Sequence, residues 1–155
     1  MTADSAQEPS SRQRPARATA GDIMRPAVTT VELDGHLAGA AYLMKHAGAT
    51  ALVVVGDQDM RPVGLITEAD IVQAVADGKD VNEARIRELM TTTPTVISAA
   101  TSIRDAAESM TAGHFRHLPV VDDAGLVGMV DIRDVCRALL DEPAGPDEPA
   151  GPTAS

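Results

Sequence analysis

Apolar positions in this chain switch between helical and strand spacing, and the same succession of switches runs through it twice. Leu37, Ala40, Ala41 and Met44 fall at i, i+3, i+4 and i+7, one face of a helix, and Gly48 is placed to stop it. Thr50 to Val55 is almost all apolar, as expected of a strand buried on both faces. Gly56 to Met60 is turn-like, and Pro62 to Ile66 is the next strand. Thr67 then opens a helix with Ile71, Val72 and Val75 on its apolar face, ended by Asp77-Gly78. Ahead of these elements, Asp22 caps a short Ile23-Met24 turn that Pro26 ends, and Val28 to Val31 is a short β-branched strand.

The second pass copies each step. Met24 recurs as Met90, Val31 as Ile97, and the helix face Leu37, Ala40, Ala41, Met44 as Ile103, Ala106, Ala107, Met110. Thr101 or Ser102 caps that helix. Leu118 to Val121 is the buried strand, Asp122 to Gly125 the turn and Leu126 to Val130 the hairpin partner. Asp131 opens the last helix, with Ile132, Val135, Cys136 and Leu139 inward. The expected organisation is a tail at 1–20, repeats at 21–78 and 89–140 joined by a partly helical link at 79–88, and a tail at 141–155. Both tails lack the apolar surface that offsets ordering entropy and are expected to be disordered. One unit of this size buries too little surface to be robust alone. The expected fold is therefore α+β: two β-α-β-β-α repeats packed sheet to sheet over one core, as a single pseudo-two-fold module.

Composition narrows the function. The chain has 155 residues, a net charge of −10, one Tyr, one Phe and no Trp. The acidity argues against duplex DNA, whose affinity comes largely from phosphate neutralisation, and against anionic membrane surfaces. The lack of aromatic residues argues against stacking on single strands. Cys136 stands alone in an apolar helical pattern, so no internal disulfide forms and a small core residue is the expected role. No run approaches the ~18 apolar residues of a membrane span, and the N-terminus lacks the apolar core of a secretion signal. The chain reads as soluble and cytoplasmic.

The repeated motifs carry a family resemblance. In the first copy they are Asp22-Ile23-Met24, Met44-Lys45-His46 and Gly64-Leu65-Ile66-Thr67-Glu68-Ala69-Asp70-Ile71. In the second they are Glu88-Leu89-Met90, Arg116-His117-Leu118-Pro119-Val120-Val121-Asp122 and Gly128-Met129-Val130-Asp131-Ile132-Arg133-Asp134-Val135. Everything outside the tails resembles a stand-alone tandem pair of CBS domains, the module named after cystathionine β-synthase. The resemblance implies a non-enzymatic sensor or regulatory module with an adenosine-containing ligand in its cleft, most often AMP, ADP, ATP or S-adenosylmethionine, and no required cofactor. It also implies a homodimer whose two pairs form a flat disc, read by a downstream protein partner that the sequence does not identify.

The candidate ligand-binding residues are Thr67, Asp70, Arg116, His117, Pro119, Asp131 and Asp134. A carboxylate at Asp70 can take two charge-assisted hydrogen bonds from a ribose diol. The Thr67 hydroxyl and the free N–H groups of the helix start can face a phosphate, and Gly64 would let a ligand approach the backbone. Thr-x-x-Asp is also nearly a capping box, and capping can coexist with binding. Asp131 replaces the hydroxyl residue in the second copy. It still caps a helix but repels phosphate, so the Asp134 site is expected to be weaker for nucleotides. By the resemblance, Arg116 and His117 supply phosphate contacts. From the residues alone, Arg116 is equally a surface charge or ion pair, and His117 a satisfied, half-buried histidine. His114-x-x-His117 lacks the further ligands of a tetrahedral metal site, so no metal is expected. No nucleophile with a base, P-loop or carboxylate pair indicates an enzyme. The competing reading is a ligand-free dimerisation or scaffold module.

Overall fold

The computed structural model describes residues 17–26 and 29–143. Most of both tails, and Val28 at the expected start of the first strand, lie outside the described residues. The elements run α1 (Ala20–Ile23), β1 (Thr30–Glu32), α2 (Leu37–Ala47), β2 (Ala51–Val55), β3 (Pro62–Thr67), α3 (Glu68–Ala76), a 3₁₀ turn at Ile86–Glu88, β4 (Thr91–Thr92), α4 (Ile103–Gly113), β5 (His117–Asp122), β6 (Gly125–Asp131) and α5 (Ile132–Asp141). The repeat-equivalent helices α2 and α4 bury the expected positions: Leu37, Ala40 and Met44 in one, Ile103, Ala106 and Met110 in the other. Gly48 stops α2 in the left-handed conformation, at φ 61°. Ser102 caps α4 through its hydroxyl, which accepts the Asp105 N–H at 3.0 Å. The cap of α1 is Thr19 rather than Asp22, whose carboxylate instead closes the box by accepting the Thr19 N–H at 2.8 Å.

Two sheets result. The first has the order β1-β2-β3-β4, with β1 parallel to β2 and the other pairs antiparallel. The second is the β5-β6 hairpin. Its outer positions repeat the first sheet as single bridges, Ile97 beside Val120 in parallel and Arg25 beside Met129 antiparallel. All five residues of β2 are buried. Leu52 and Val54 enter the cluster under α2 and α3, while Ala51, Val53 and Val55 face the opposite way and meet Leu65 and Met129. The expected single core is thus three clusters, one within each copy and a third between the sheets.

Each copy's leading segment packs on the other copy. Ala20, Ile23 and Met24 join the second copy's cluster, while Ala84, Ile86, Leu89 and Met90 join the first copy's. The exchange is fitted at two equivalent glycines. A Cβ on Gly64 would lie 2.5 Å from Met90 Sδ, and one on Gly128 2.6 Å from Met24 Sδ and 3.0 Å from the Arg25 carbonyl oxygen. Gly64 therefore admits a methionine from the partner copy, not a ligand. Gly128→Ala is expected to cost about 1–3 kcal/mol by overpacking. Met24→Ala should relieve part of that loss, so a double-mutant cycle in urea should be non-additive.

Two apolar faces differ from expectation. Val72 and Val75 on α3 are 66% and 59% exposed, and Ala74 is the buried residue instead. On α5, Val135 is buried, Ile132 and Leu139 pack against the cluster, and Cys136 is exposed. Apolar periodicity marks a face without saying what covers it.

Candidate functional site

Thr67 and Asp70 meet where β3 becomes α3. The Asp70 carboxylate accepts the Thr67 N–H at 2.8 Å and the Thr67 hydroxyl at 2.9 Å, both on Oδ2, while the Thr67 oxygen accepts the Asp70 N–H at 3.2 Å. The capping box is complete. Its second carboxylate oxygen, Oδ1, has no protein partner among the described residues. The same Thr-x-x-Asp box closes α1 through Thr19 and Asp22, so the box alone marks no site. Asp22 is exposed on a four-residue helix, whereas Asp70 is half-buried in the first turn of α3, just after a core strand.

The second copy is wired differently. Asp131, buried, caps α5 by accepting the Arg133 N–H at 2.7 Å and the Arg133 Nε at 3.4 Å, both on Oδ1. Its Oδ2 lies 3.3 Å from His117 Nε2. Asp134 forms no box with Asp131; it pairs with Arg25, Nε to Oδ2 at 3.4 Å. His117 Nε2 also lies 2.7 Å from the Thr50 hydroxyl, in the other copy. The Thr50 carbonyl in turn accepts the Glu68 N–H at 3.0 Å. A polar path thus runs from the start of α3 through Thr50, His117 and Asp131 to the start of α5. Arg116 is exposed, its carbonyl accepting the Ile132 N–H at 2.9 Å, and it makes no ion pair among the described residues. Pro119 is buried in β5, its carbonyl accepting the Ile97 N–H at 3.0 Å, and so serves packing and pairing. Arg25 and Thr50 carry no motif that singles them out; Thr50 could have been found only as the repeat partner of Arg116.

Burial pushes the His117 imidazole below its usual 6.5; Asp131 opposes the shift, Arg116 and Arg133 add to it, and Glu68 opposes it. The unfolded chain therefore takes up this proton first as pH falls. The contribution of His117 to stability is present above pH 6.5 and is lost as pH falls from there through the folded value. His117→Gln, which keeps a hydrogen-bonding group toward Thr50, should flatten that part of the profile. Urea unfolding between pH 7.5 and 5 checks it; identical slopes in the two proteins would contradict the assignment.

Two surface grooves lie away from these residues. One of about 330 Å³ runs between α4 and α5 over Ala107, Thr111 and Leu139. Another of about 530 Å³ lies over Val31, His36, Leu43 and Met60. Among the described residues no three His, Cys, Asp or Glu side chains converge as metal ligands.

Known proteins share this fold. Hypoxic response protein 1 of Mycobacterium tuberculosis is 36% identical over 122 residues, covering 78% of this chain and 85% of that protein. The solved structure of Hypoxic Response Protein I, with two coordinated zinc ions, is similar at a TM-score of 0.68 and 34% identity, covering 77% of this chain and 98% of that one. The CBS domain pair of protein MJ0100 in complex with 5′-methylthioadenosine and S-adenosyl-L-methionine is similar at a TM-score of 0.71 and 26% identity, covering 79% and 96% of the two chains. CBSX2 in complex with AMP is similar at 0.67 and 27% identity, covering 79% and 97%. Two further relatives are longer, and the chain spans 67% and 54% of their lengths. The CBS domain model matches residues 20–77 and again residues 86–141, and the chain belongs to the CBS domain family as a tandem pair.

Proposed function

We propose that this chain is a non-enzymatic regulatory module that binds an adenosine-containing ligand, AMP, ADP, ATP or S-adenosylmethionine, with Asp70 on the ribose. The observation that carries this is the Asp70 carboxylate: one oxygen is held by Thr67, and the other has no protein partner among the described residues. The arrangement is preorganised, because the capping box fixes the carboxylate before a ligand arrives. Arg116 and His117 serve the phosphate end when there is one, and Asp131 and Asp134 belong to the second copy's position. The adenosine ligands of the CBSX2 and MJ0100 structures support the ligand class.

The working unit is a homodimer in the cytoplasm. Tyr42, Val72 and Val75 are exposed on α2 and α3, and the α4–α5 groove offers Ala107 and Leu139. In this reading a second copy packs over these two faces. No helix among the described residues is long and apolar enough to cross a membrane. The buried Gly64 and the paired Asp134 favour the competing scaffold reading, in which the cleft stays empty.

Thermal unfolding of the full chain with AMP, ADP, ATP and S-adenosylmethionine separates the two. A ligand at 100 times its dissociation constant adds about 2.7 kcal/mol. A raised melting temperature with one of the four supports the sensor; no change with any of them at millimolar concentration makes the chain a scaffold.

A further inference from the structure

We propose that Arg25 is a built-in occupant of the second copy's ligand position. It holds Asp134 closed, so that each chain binds one adenosine ligand, at Asp70, and removal of the Arg25 cation opens a second site. The inference deepens the reading of Asp70 as the ribose group and rests on it.

The difference begins with one substitution between the copies. Thr67 both donates its hydroxyl to Asp70 and accepts the Asp70 N–H. Asp131, at the equivalent position, is a carboxylate that only accepts, and its two oxygens are taken up by Arg133 and His117. It cannot donate to Asp134, and its charge repels a second carboxylate. Asp134 is 15% exposed and so needs a donor from elsewhere. Arg25 supplies one, 3.4 Å away across 109 residues of sequence. Two backbone hydrogen bonds hold Arg25 in place beside β6. Its N–H donates to the Met129 carbonyl at 2.8 Å, and the Met129 N–H returns to the Arg25 carbonyl at 3.0 Å. In the first copy the equivalent position, paired with Leu65, is the uncharged Thr91, and Asp70 has no cation within salt-bridge distance among the described residues. Asp70 is thus presented to solvent and Asp134 is already neutralised. The opened site, flanked by Asp131 and Asp134, suits an uncharged or cationic adenosine compound better than a phosphate-bearing one.

5′-Methylthioadenosine, which presents a ribose diol without phosphate, is the probe. Titration calorimetry of the full chain should give one equivalent for the wild type, none for Asp70→Ala, two for Arg25→Ala and one for the double variant. Arg25→Lys, which keeps the cation, should stay at one. Circular dichroism confirms that each variant is folded, and the arginine is 55% exposed, so its loss leaves no buried gap. Two equivalents for the wild type, or no gain with Arg25→Ala, overturns the proposal. Binding by Arg25→Ala alone, with none by the wild type, overturns the Asp70 reading and leaves the role of Arg25 standing. No binding by either protein overturns both.

Discussion

Asp70→Ala is expected to weaken adenosine-ligand binding about 100-fold, equivalent to roughly 2.7 kcal/mol. Hydrogen bonds to a charged group contribute about 1.5–3 kcal/mol each, and the free Asp70 oxygen has capacity for both hydroxyls of a ribose. The same substitution removes the acceptor for the Thr67 N–H and hydroxyl, so stability should also fall, by about 1 kcal/mol. Asp70→Asn separates the two effects. Its amide oxygen can still accept the Thr67 N–H, so most of the stability should remain, while loss of the charge should remove most of the binding. Calorimetric titration beside urea unfolding reads both quantities. An Asn variant that binds like wild type would remove Asp70 from the ligand.

Leu52→Ala is expected to cost about 2–5 kcal/mol, the range for a fully buried leucine. Leu52 lies in β2, opposite Ile66 in β3, inside the first copy's cluster. Its neighbours Ala51 and Val53 point to the other side and join the cluster between the sheets. A shift of β2 is therefore felt in both copies. Against a typical net stability of about 5–15 kcal/mol the loss is large, and the melting temperature should fall by roughly 10 °C. Val72→Ala, at a residue 66% exposed, should change the chain's own unfolding by less than about 0.5 kcal/mol. Equal effects from Leu52→Ala and Val72→Ala would contradict the placement of the core.

Much of the fold was legible because it rests on local rules. The spacing of Leu37, Ala40 and Met44, the left-handed Gly48 and the β-branched run of β2 each report on a few neighbouring residues. Repetition then doubled the signal. The exchange of leading segments was not legible, since Met24 and Met90 read as generic packing residues until Gly128 and Gly64 are seen beneath them. Val72, Val75 and Cys136 keep helical periodicity yet face outward. A covered and an uncovered apolar face have the same period.

The candidate site divides in the same way. Thr67-x-x-Asp70 and the Asp131 cap were readable, because caps span only a few residues. The contacts of His117 with Thr50 and of Asp134 with Arg25 were not, because each joins residues from different copies. Arg116 and Pro119 were drawn into the site by their place in one motif. The fold gives them different surroundings, with the arginine exposed toward solvent and the proline inside the strand.

A crystal structure of the chain grown with AMP tests the central claim most directly. The account predicts the ribose hydroxyls within hydrogen-bonding distance of the free Asp70 oxygen, with the Arg25–Asp134 pair intact. AMP seated in the α4–α5 groove or over His36 and Met60, with Asp70 unengaged, would contradict it.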